Sequence, residues 1–219
     1  MQALNPERIT IELSKYGISA DDRLCGAIST YIDLLLRWNS KISLTTIIDP
    51  LEIVRFHFGE SLFALSSSLI SFGRLADVGS GAGFPGLALR MAKEELDLFL
   101  IETNLKKAAF LSEAVRVLDL NSVEVFRFRM EDLPVEFGDF DYITCRALGK
   151  FDSFLRWSRK RLKQGGKAVL WLGGPDASSI QESSDWAWKP AIQIPGTQKR
   201  VILSGSPKIA RKICSTWNI

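Results

Sequence analysis

A short glycine-rich stretch constrains this chain more than any other. Residues 75–78 form an apolar run with one carboxylate, and residues 79–83 then place glycine at every second position. After Pro85, residues 86–92 favour a helix. Glycine allows positive φ and lets a ligand approach where a Cβ would block it, and proline suits the first turn of a helix. The stretch therefore predicts a strand, a ligand-binding loop and a helix whose free N–H groups face the ligand.

Three kinds of loop fit parts of this pattern. Its last three glycines match the G-x-G-x-x-G fingerprint of dinucleotide-binding loops, although Pro85 stands where that helix should begin. The alternating set Gly79, Gly81 and Gly83, with Asp77 two residues before it, is more typical of the first motif of S-adenosylmethionine-dependent methyltransferases. No Lys-Ser/Thr pair follows, which excludes a P-loop. A plain tight turn is disfavoured, because ordering three glycines costs conformational entropy.

From residue 74 onward, apolar runs of strand length alternate with helical patterns. Strands are predicted at 75–78, 96–101, 123–126, 142–145 and 167–172, with helices at 87–93, 106–118 and 151–162. This alternation is typical of an α/β fold with a doubly wound, mostly parallel sheet. Residues 1–70 are predicted to be helical, with caps at Asn5, at Asp21 or Asp22, and at Asp49. We expect them to form an extension packed on a core domain of residues 71–219.

Ligands of doubly wound sheets bind beyond the carboxyl ends of the strands. Asp77, Glu102, Met130, Glu131 and Arg146 all fall at such ends in the predicted fold. Glu102 ends the second strand, where a carboxylate accepts hydrogen bonds from the ribose of NAD or of S-adenosylmethionine alike. Met130 and Glu131 are placed to flank an adenine. The alternatives are a helix-capping Glu102 and a chance acidic turn after the third strand.

Charge is distributed unevenly along the chain, whose net charge is +3. Residues 1–145 carry 14 Lys or Arg against 21 Asp or Glu, residues 146–167 carry eight cations and one carboxylate, and residues 186–219 carry six cations and no carboxylate. A basic C-terminal third indicates a polyanionic partner, and solvated cations on a helix face are the alternative. The candidates for contacting phosphate are Arg156, Arg159, Lys160, Arg161, Lys199, Arg200, Arg211 and Lys212.

Several classes of protein are disfavoured by the composition. Cys25, Cys145 and Cys214 are widely separated, and His57 is the single histidine, so neither a disulfide framework nor a metal site is expected. The N-terminus lacks a signal-peptide pattern. The longest apolar run, residues 62–72, is too short to span a bilayer. We expect a monomeric protein of the reducing cytoplasm with no membrane attachment.

The segment from Asp77 to Gly86 resembles the hallmark of the glucose-inhibited division protein B family, whose members are small-subunit (16S) ribosomal RNA guanine-N7 methyltransferases. The similarity extends from about Trp38 to Gly174. It implies S-adenosyl-L-methionine as the cofactor, and ribosomal RNA or an assembling small ribosomal subunit as the partner. The cofactor contacts implied by matching positions are Gly79, Phe84, Met130, Glu131 and Arg146.

The chain departs from the family pattern at three positions in its substrate half. Glu60 stands where the family has aspartate, Ser43 where it has asparagine, and Gly173 where it has lysine. The exact target nucleotide therefore does not follow from the resemblance.

The implied chemistry requires no proton acceptor, because guanine N7 has a lone pair and no proton to lose. Positive charge moves onto the purine during transfer, and Glu60 is a candidate for stabilising it. Arg146 and His57 are candidates for orienting the base or the cofactor carboxylate, and Phe84 for stacking on a base turned out of its stack. Two other functions stay open: an inactive RNA-binding adaptor with the same fold, and an NAD-dependent oxidoreductase, for which no Tyr-x-x-x-Lys is visible.

Overall fold

The computed structural model describes residues 4–146, 149, 151–182 and 185–208. Within these ranges, the strands are β1 (Gly73–Val78), β2 (Leu96–Ile101), β3 (Val123–Phe126), β4 (Phe140–Arg146), β5 (Leu162–Gly173), β6 (Trp186–Trp188), β7 (Ile192–Gln193) and β8 (Arg200–Pro207). They form one sheet in the order β3-β2-β1-β4-β5-β8-β6, with β7 also paired to β8.

The sheet reverses its winding between β1 and β4. The first five strands pair in parallel, whereas β8 is antiparallel to β5, β6 and β7. The chain therefore leaves β1 toward β2 on one side and later returns to β4 on the other, which opens a crevice at their carboxyl ends. The predicted α/β class with a mostly parallel, doubly wound sheet is confirmed.

Helices cover both faces of the sheet and also precede it. They are α1 (Pro6–Ser14), α2 (Asp22–Asn39), α3 (Pro50–Ile53), α4 (Glu60–Ser66), α5 (Gly86–Ala92), α6 (Leu105–Val117), α7 (Phe151–Arg161) and α8 (Gly174–Gln181). The predicted caps are present: the side chain of Asn5 accepts a hydrogen bond from Glu7 N, and that of Asp21 accepts one from Leu24 N, both at 2.8 Å. None of the described helices has the length and apolar character that crossing a membrane requires.

The helical run that holds His57 is not a regular α-helix. A π-helical turn, Val54–Gly59, separates α3 from α4. A π-turn inserts an extra residue into the helical ladder, rotates the residues that follow, and is common at functional sites. Periodicity alone predicts one continuous helix here, because the apolar positions on both sides of the turn keep helical spacing.

Two apolar clusters lie on the two faces of the sheet. The first joins the N-terminal helices to the sheet. It includes five residues that are fully buried: Ile9, Tyr31, Phe58, Leu75 and Ile202. The second lies under α7 and α8 and contains residues of β2, β4 and β5. The helices before β1 thus bury their apolar faces directly against the sheet.

The C-terminal third differs from the sequence prediction. A helix over 151–162, ended by Gly165 and Gly166, and a strand over 167–172 were expected, but β5 already begins at Leu162, opposite Phe140. The pairing is irregular there, and Gly165 adopts φ +83°. The expected glycine signal therefore marks a bulge within the strand rather than a helix end. The antiparallel strands β6–β8 were not predicted, because they are short or dominated by polar residues.

Candidate cofactor and substrate site

The glycine loop after β1 has the backbone that its sequence predicts. Gly79, Gly81 and Gly83 have φ values of +71°, +55° and +82°. A Cβ on Gly81 would approach only Gly79 O, at 3.7 Å, whereas one on Gly83 would lie 3.0 Å from Cγ of Leu87. The space beside Gly81 is therefore open to a ligand, while Gly83 is required for packing of the loop against α5.

Through its carboxylate, Asp77 connects this loop to the neighbouring strand β4 and to the start of α5. Its carboxylate is buried, with Oδ1 accepting a hydrogen bond from Thr144 Oγ1 at 2.8 Å and Oδ2 accepting one from Gly86 N at 3.2 Å. Burial raises the pKa of Asp77 to about 6. Asp77 is only 1% exposed, so it joins β1, β4 and the start of α5 and supports the site instead of contacting a ligand. Thr144 was not singled out from the sequence, because nothing marks it within an apolar strand.

Glu102 connects the loops that follow β1 and β2. Its Oε2 accepts a hydrogen bond from Gly81 N at 2.9 Å, and its Oε1 accepts one from Asn104 N at 2.7 Å. The residue is 7% exposed and lies beside the open space at Gly81. The carboxylate thus keeps lone pairs available at the position where a ribose is expected, and it also fixes the loop.

Replacing Glu102 with Ala is expected to weaken S-adenosylmethionine binding by about 1.5–3 kcal/mol, the range for hydrogen bonds to a charged group. The two backbone N–H groups also lose their acceptor, so the melting temperature should fall. Isothermal titration of the cofactor and thermal unfolding measure the two effects separately. Glu102→Gln keeps one acceptor oxygen without the charge, so its loss of cofactor affinity should lie between those of the wild type and Glu102→Ala. A loss of affinity below about 0.5 kcal/mol in Glu102→Ala would show that the ribose lies elsewhere.

The residues after β3 and β4 complete the carboxyl edge. Met130 begins a 3₁₀ turn and is 9% exposed, whereas Glu131 is exposed at the rim of a cavity of about 1,210 Å³ along α7. Arg146 is the last residue of β4. Gly81, Glu102, Met130 and Arg146 thus follow or end four neighbouring parallel strands. The fold brings the predicted cofactor residues to one edge.

Glu60 lies between two guanidinium groups. Its Oε2 accepts a hydrogen bond from Arg146 Nη2 at 3.0 Å, and its Oε1 lies 2.8 Å from Arg200 Nη2, an ion pair without the angles of a hydrogen bond. The Glu60 side chain is 1% exposed, that of Arg146 18%, and that of Arg200 39%. Elements far apart in the sequence therefore build one charged cluster: the start of α4, the end of β4 and the start of β8.

Burial shapes the ionisation of this cluster. Burial raises the pKa of Glu60 against the opposing effect of the two guanidinium groups, and it lowers the pKa of Arg146. Arg146 Nη2 also donates to Phe56 O at 3.0 Å, but Arg146 Nη1 is buried without a hydrogen-bond partner among the residues that the structure describes. A buried donor without an acceptor is costly, and this one marks a place where a ligand oxygen fits.

A cavity of about 580 Å³ opens beside the cluster. Its lining includes Glu60, Arg146, Phe151, Trp171 and Arg200. The Trp171 indole fixes α4 on the sheet, since Nε1 donates to Glu60 O at 2.7 Å. The cavity is large enough for a small ligand and lies at the carboxyl ends of β4 and β5. Trp171 and the pairing of Arg200 with Glu60 were missed by sequence reasoning, because only the fold brings these segments together.

His57 is held as a neutral ring. Its Nε2 lies 2.8 Å from Thr45 Oγ1, and its ring stacks on Phe84 with centroids 4.7 Å apart. Burial, together with the nearby Arg146 and Arg200, lowers the pKa of His57 to about 3. A histidine that stays uncharged at neutral pH can orient groups by hydrogen bonding, and Nδ1 is buried without a partner among the described residues.

This lowered pKa predicts an acid-sensitive contribution to stability. The unfolded state binds a proton near pH 6.5 and the folded state does not, so the contribution is complete above about pH 6.5 and is lost as the pH falls. The melting temperature of the wild type should therefore drop more between about pH 7.5 and pH 5 than that of His57→Gln, which cannot take up the proton. Equal drops in the two proteins would show that His57 accepts a proton while folded.

Phe84 does not provide the exposed stacking face that its sequence position suggested. The ring is 7% exposed, stacks on His57, and meets Tyr31 and Phe58 edge-on at centroid distances of 5.5 Å and 5.1 Å. We therefore correct the expectation that a base stacks on this side chain. The Tyr31 hydroxyl also donates a hydrogen bond to Ala82 O. The aromatic cluster thus anchors the glycine loop to α2.

The predicted phosphate-binding cations separate into distinct groups. Arg156, Arg159 and Lys160 are exposed on α7, with Arg159 paired to Asp185 at 3.1 Å. Arg161 is 9% exposed, and its guanidinium donates to the carbonyl oxygens of Leu133 and Pro134. It therefore fixes the chain before β4 and is not presented to a phosphate.

The remaining cations lie closer to the site or outside the described residues. Lys199 is exposed directly before β8, while Arg200 belongs to the charged cluster. Arg211 and Lys212 lie outside the residues that the structure describes. Across the described ranges, no group of three or more His, Cys, Asp or Glu side chains is arranged to hold a metal ion.

Comparison with known proteins identifies the family. The family model described as rRNA small subunit methyltransferase G, GidB, matches residues 24–193. The chain belongs to this family. It is therefore a methyltransferase.

Individual relatives agree with this family. A ribosomal RNA small subunit methyltransferase G of Desulfitobacterium hafniense is 34% identical over 89% of this chain and 77% of its own length. One of Stenotrophomonas maltophilia is 38% identical over 75% of this chain and 76% of its own. Among solved structures, a SAM-dependent methyltransferase of Aquifex aeolicus superposes with a TM-score of 0.54 and 19% identity, over 72% of this chain and 97% of that one, which shows the shared fold.

Proposed function

We propose that this enzyme transfers a methyl group from S-adenosylmethionine to N7 of a guanine in small-subunit (16S) ribosomal RNA. The observation that carries the proposal is that an open glycine loop follows β1 and a charged cavity lies at the carboxyl ends of β4 and β5, on the same edge of the sheet. The family membership and the names of the relatives support the choice of ribosomal RNA.

The residues present fit the proposed cofactor. The open space at Gly81 allows a close backbone approach, Glu102 offers carboxylate lone pairs at a ribose position, and Arg146 Nη1 has no acceptor within the part of the chain that the structure describes. Met130 offers an apolar side chain for an adenine. Bound there, S-adenosylmethionine supplies a methyl group activated by a sulfonium.

The protein's part in the reaction is positioning. Because guanine N7 carries a lone pair and no proton, the site needs no general base, and its neutral His57 and ion-paired Glu60 agree with that requirement. Holding the two reacting atoms in line can supply about 7–11 kcal/mol of the barrier reduction. We also propose that Glu60, which lines the cavity, opposes part of the positive charge that develops on the purine.

The cavity of about 580 Å³ is the proposed place of the target base. A guanine in folded RNA must leave its stack at a cost of a few kcal/mol. Aromatic and cationic side chains return part of that cost by stacking and phosphate pairing. Phe151, Trp171 and Arg200 supply both kinds of group around the cavity.

The proposal is tested by comparing ribosomal RNA nucleosides from cells with and without the gene by mass spectrometry. We expect one 7-methylguanosine per small-subunit RNA to disappear with the gene and to return with the intact gene. A complementing Glu102→Ala variant should restore it less efficiently. An unchanged 7-methylguanosine content would contradict the proposed function and favour an inactive RNA-binding adaptor.

The dispersed cysteines of this chain lead us to propose that the protein acts in the reducing cytoplasm. We also propose that it is a monomer.

We further propose that the exposed cations of α7 hold the RNA backbone outside the site. The helix starts beside the carboxyl edge and extends away from it for 11 residues, about 16 Å. Arg156, Arg159 and Lys160 therefore lie at increasing distance from the cavity. Phosphate contacts of this kind position RNA without reading its bases.

Reversing the charge of Arg156, Arg159 and Lys160 together should weaken RNA binding and reduce its dependence on salt, because fewer counterions are released. Cofactor affinity should not change. Reversal of Arg8, Lys93 and Arg116 is the matched control, since it makes the same change in net charge elsewhere on the surface. Titrations of RNA and cofactor at two salt concentrations measure both effects. If the two triple variants bind RNA alike, α7 is an ordinary solvated helix.

A further inference from the structure

An exposed aromatic side chain lies beside the proposed cofactor site. Phe128 is 43% exposed and is flanked by two exposed cations, Arg127 and Arg129. The three residues form the loop between β3 and the turn that begins at Met130. An exposed aromatic ring between cations is the combination with which proteins hold single-stranded nucleic acid, by stacking and by pairing with phosphate.

The Phe128 ring is supported from the protein interior. It stacks on Phe126 with centroids 6.3 Å apart and planes at 26°, and Phe126 stacks in turn on Phe99 at 6.2 Å and 5°. Phe99 is 6% exposed and belongs to the core. A ring supported in this way is already ordered, so a base that stacks on it pays less conformational entropy.

The neighbouring loop extends the surface. Glu102 N donates to Phe126 O at 3.0 Å, so the loops after β2 and β3 lie side by side. The first turn of α6, directly after the loop that follows β2, presents Leu105, 62% exposed, and Lys106, also exposed. Among the described residues, Arg127, Arg129 and Lys106 make no ion pair. Carboxylates are present nearby in sequence, at Glu124, Glu131 and Asp132.

We propose that Phe128, Arg127, Arg129 and Lys106 form a stacking platform for an unpaired nucleotide of the RNA substrate that flanks the target guanine. The platform adjoins Glu102 and Met130, so an RNA strand lying on it passes beside the cofactor. This inference rests on the proposed function, because it assigns a second contact to the same substrate. It also places RNA contacts on the acidic part of the chain, where net charge gives no indication of them.

A protein partner fits this surface less well. Two exposed apolar side chains supply little of the roughly 1,000 Å² or more that a stable protein interface buries. Interface cores are also depleted of charged residues, whereas exposed cations flank Phe128 on both sides in the sequence. The exposed edge of β3 carries Glu124, a charge that opposes strand addition.

The test compares Phe128→Ala, Phe128→Tyr and Phe72→Ala. Phe72 is 71% exposed and directly precedes β1. It lies at the amino ends of the strands, away from the proposed site, and is therefore a matched exposed aromatic residue. Affinity for deproteinised small-subunit RNA is measured by fluorescence anisotropy, cofactor affinity by calorimetry, and folding by thermal unfolding. We expect Phe128→Ala to bind RNA about tenfold more weakly, as for the loss of one stacked base, with Phe128→Tyr and Phe72→Ala near the wild type. Cofactor affinity should be the same in all four proteins.

A double variant, Arg127→Ser with Arg129→Ser, keeps the ring and removes two phosphate contacts. Its salt slope for RNA binding should fall by about 1.4, at roughly 0.7 per contact with single-stranded RNA. Wild-type RNA affinity in Phe128→Ala, or equal losses in Phe72→Ala, would overturn the platform. A change of oligomeric state in Phe128→Ala would overturn it in favour of a second copy of this chain. The proposed function is judged separately, by methyl transfer in the wild type, which none of these results changes.

Discussion

Glu60→Ala should lower the free energy of unfolding by about 3–5 kcal/mol, the cost of removing one partner from a buried ion pair. The change leaves Arg146 and Arg200 facing one another without the carboxylate between them, and Arg146 has only 18% of its side chain exposed. A chain of this size should lose on the order of 10 °C in melting temperature. Denaturant titration and thermal unfolding measure the effect, and cofactor titration shows whether Arg146 has lost its orientation.

Two further variants separate charge from shape. Glu60→Gln keeps the volume and an acceptor oxygen, so it should be destabilised less than Glu60→Ala. Glu113→Ala is the matched control, because Glu113 pairs with Arg116 at 2.7 Å on an exposed helix face, where solvent screens the ion pair and its contribution to stability is small. If Glu60→Ala loses no more stability than Glu113→Ala, the cluster does not hold α4 against β4 and β8.

Gly81→Val should reduce S-adenosylmethionine affinity by about 100-fold or more while the sheet stays folded. Two branches on Cβ would occupy the open space where the ligand is expected, and a β-branched residue is strained at the φ of +55° found there. The free energy of unfolding should also fall through that strain, by about 1–3 kcal/mol. Calorimetry with the cofactor and circular dichroism of the free protein separate the two effects.

Other glycines provide the comparison. Gly26 lies in α2 with nothing within 4 Å of a Cβ, so Gly26→Ala should bind the cofactor normally. Gly86→Val should instead unfold the protein, since its Cβ would lie 2.8 Å from Oδ2 of Asp77. Normal cofactor affinity in a folded Gly81→Val would place the ligand elsewhere.

Local sequence patterns predicted much of the fold. The strand–glycine loop–helix unit, the first four strands and the helix caps at Asn5 and Asp21 depend on residues close together in the chain, and all are present. The alternation of strands and helices also indicated which edge carries the site, because parallel strands bring their carboxyl ends together. That is why Glu102, Met130 and Arg146 were chosen correctly as residues of one edge.

Features that depend on distant contacts could not be predicted in this way. Composition placed Arg161 and Arg200 among phosphate-binding cations, but one is buried against backbone carbonyls and the other pairs with Glu60. The π-turn that presents His57 leaves no mark on the apolar periodicity. Tertiary packing decides whether a cation faces solvent, a carbonyl or a carboxylate. The spacing of residues within one segment contains no information about that packing.

The most direct test of the central claim is transfer of an isotope-labelled methyl group from S-adenosylmethionine to small-subunit ribosomal RNA by the purified protein. The RNA is supplied both deproteinised and within the small ribosomal subunit, and its nucleosides are then separated by mass spectrometry. We predict label in 7-methylguanosine, at one site, and none with Gly81→Val. A folded wild-type protein that binds the cofactor but labels no RNA in either form, or labels a different nucleoside, would contradict the account.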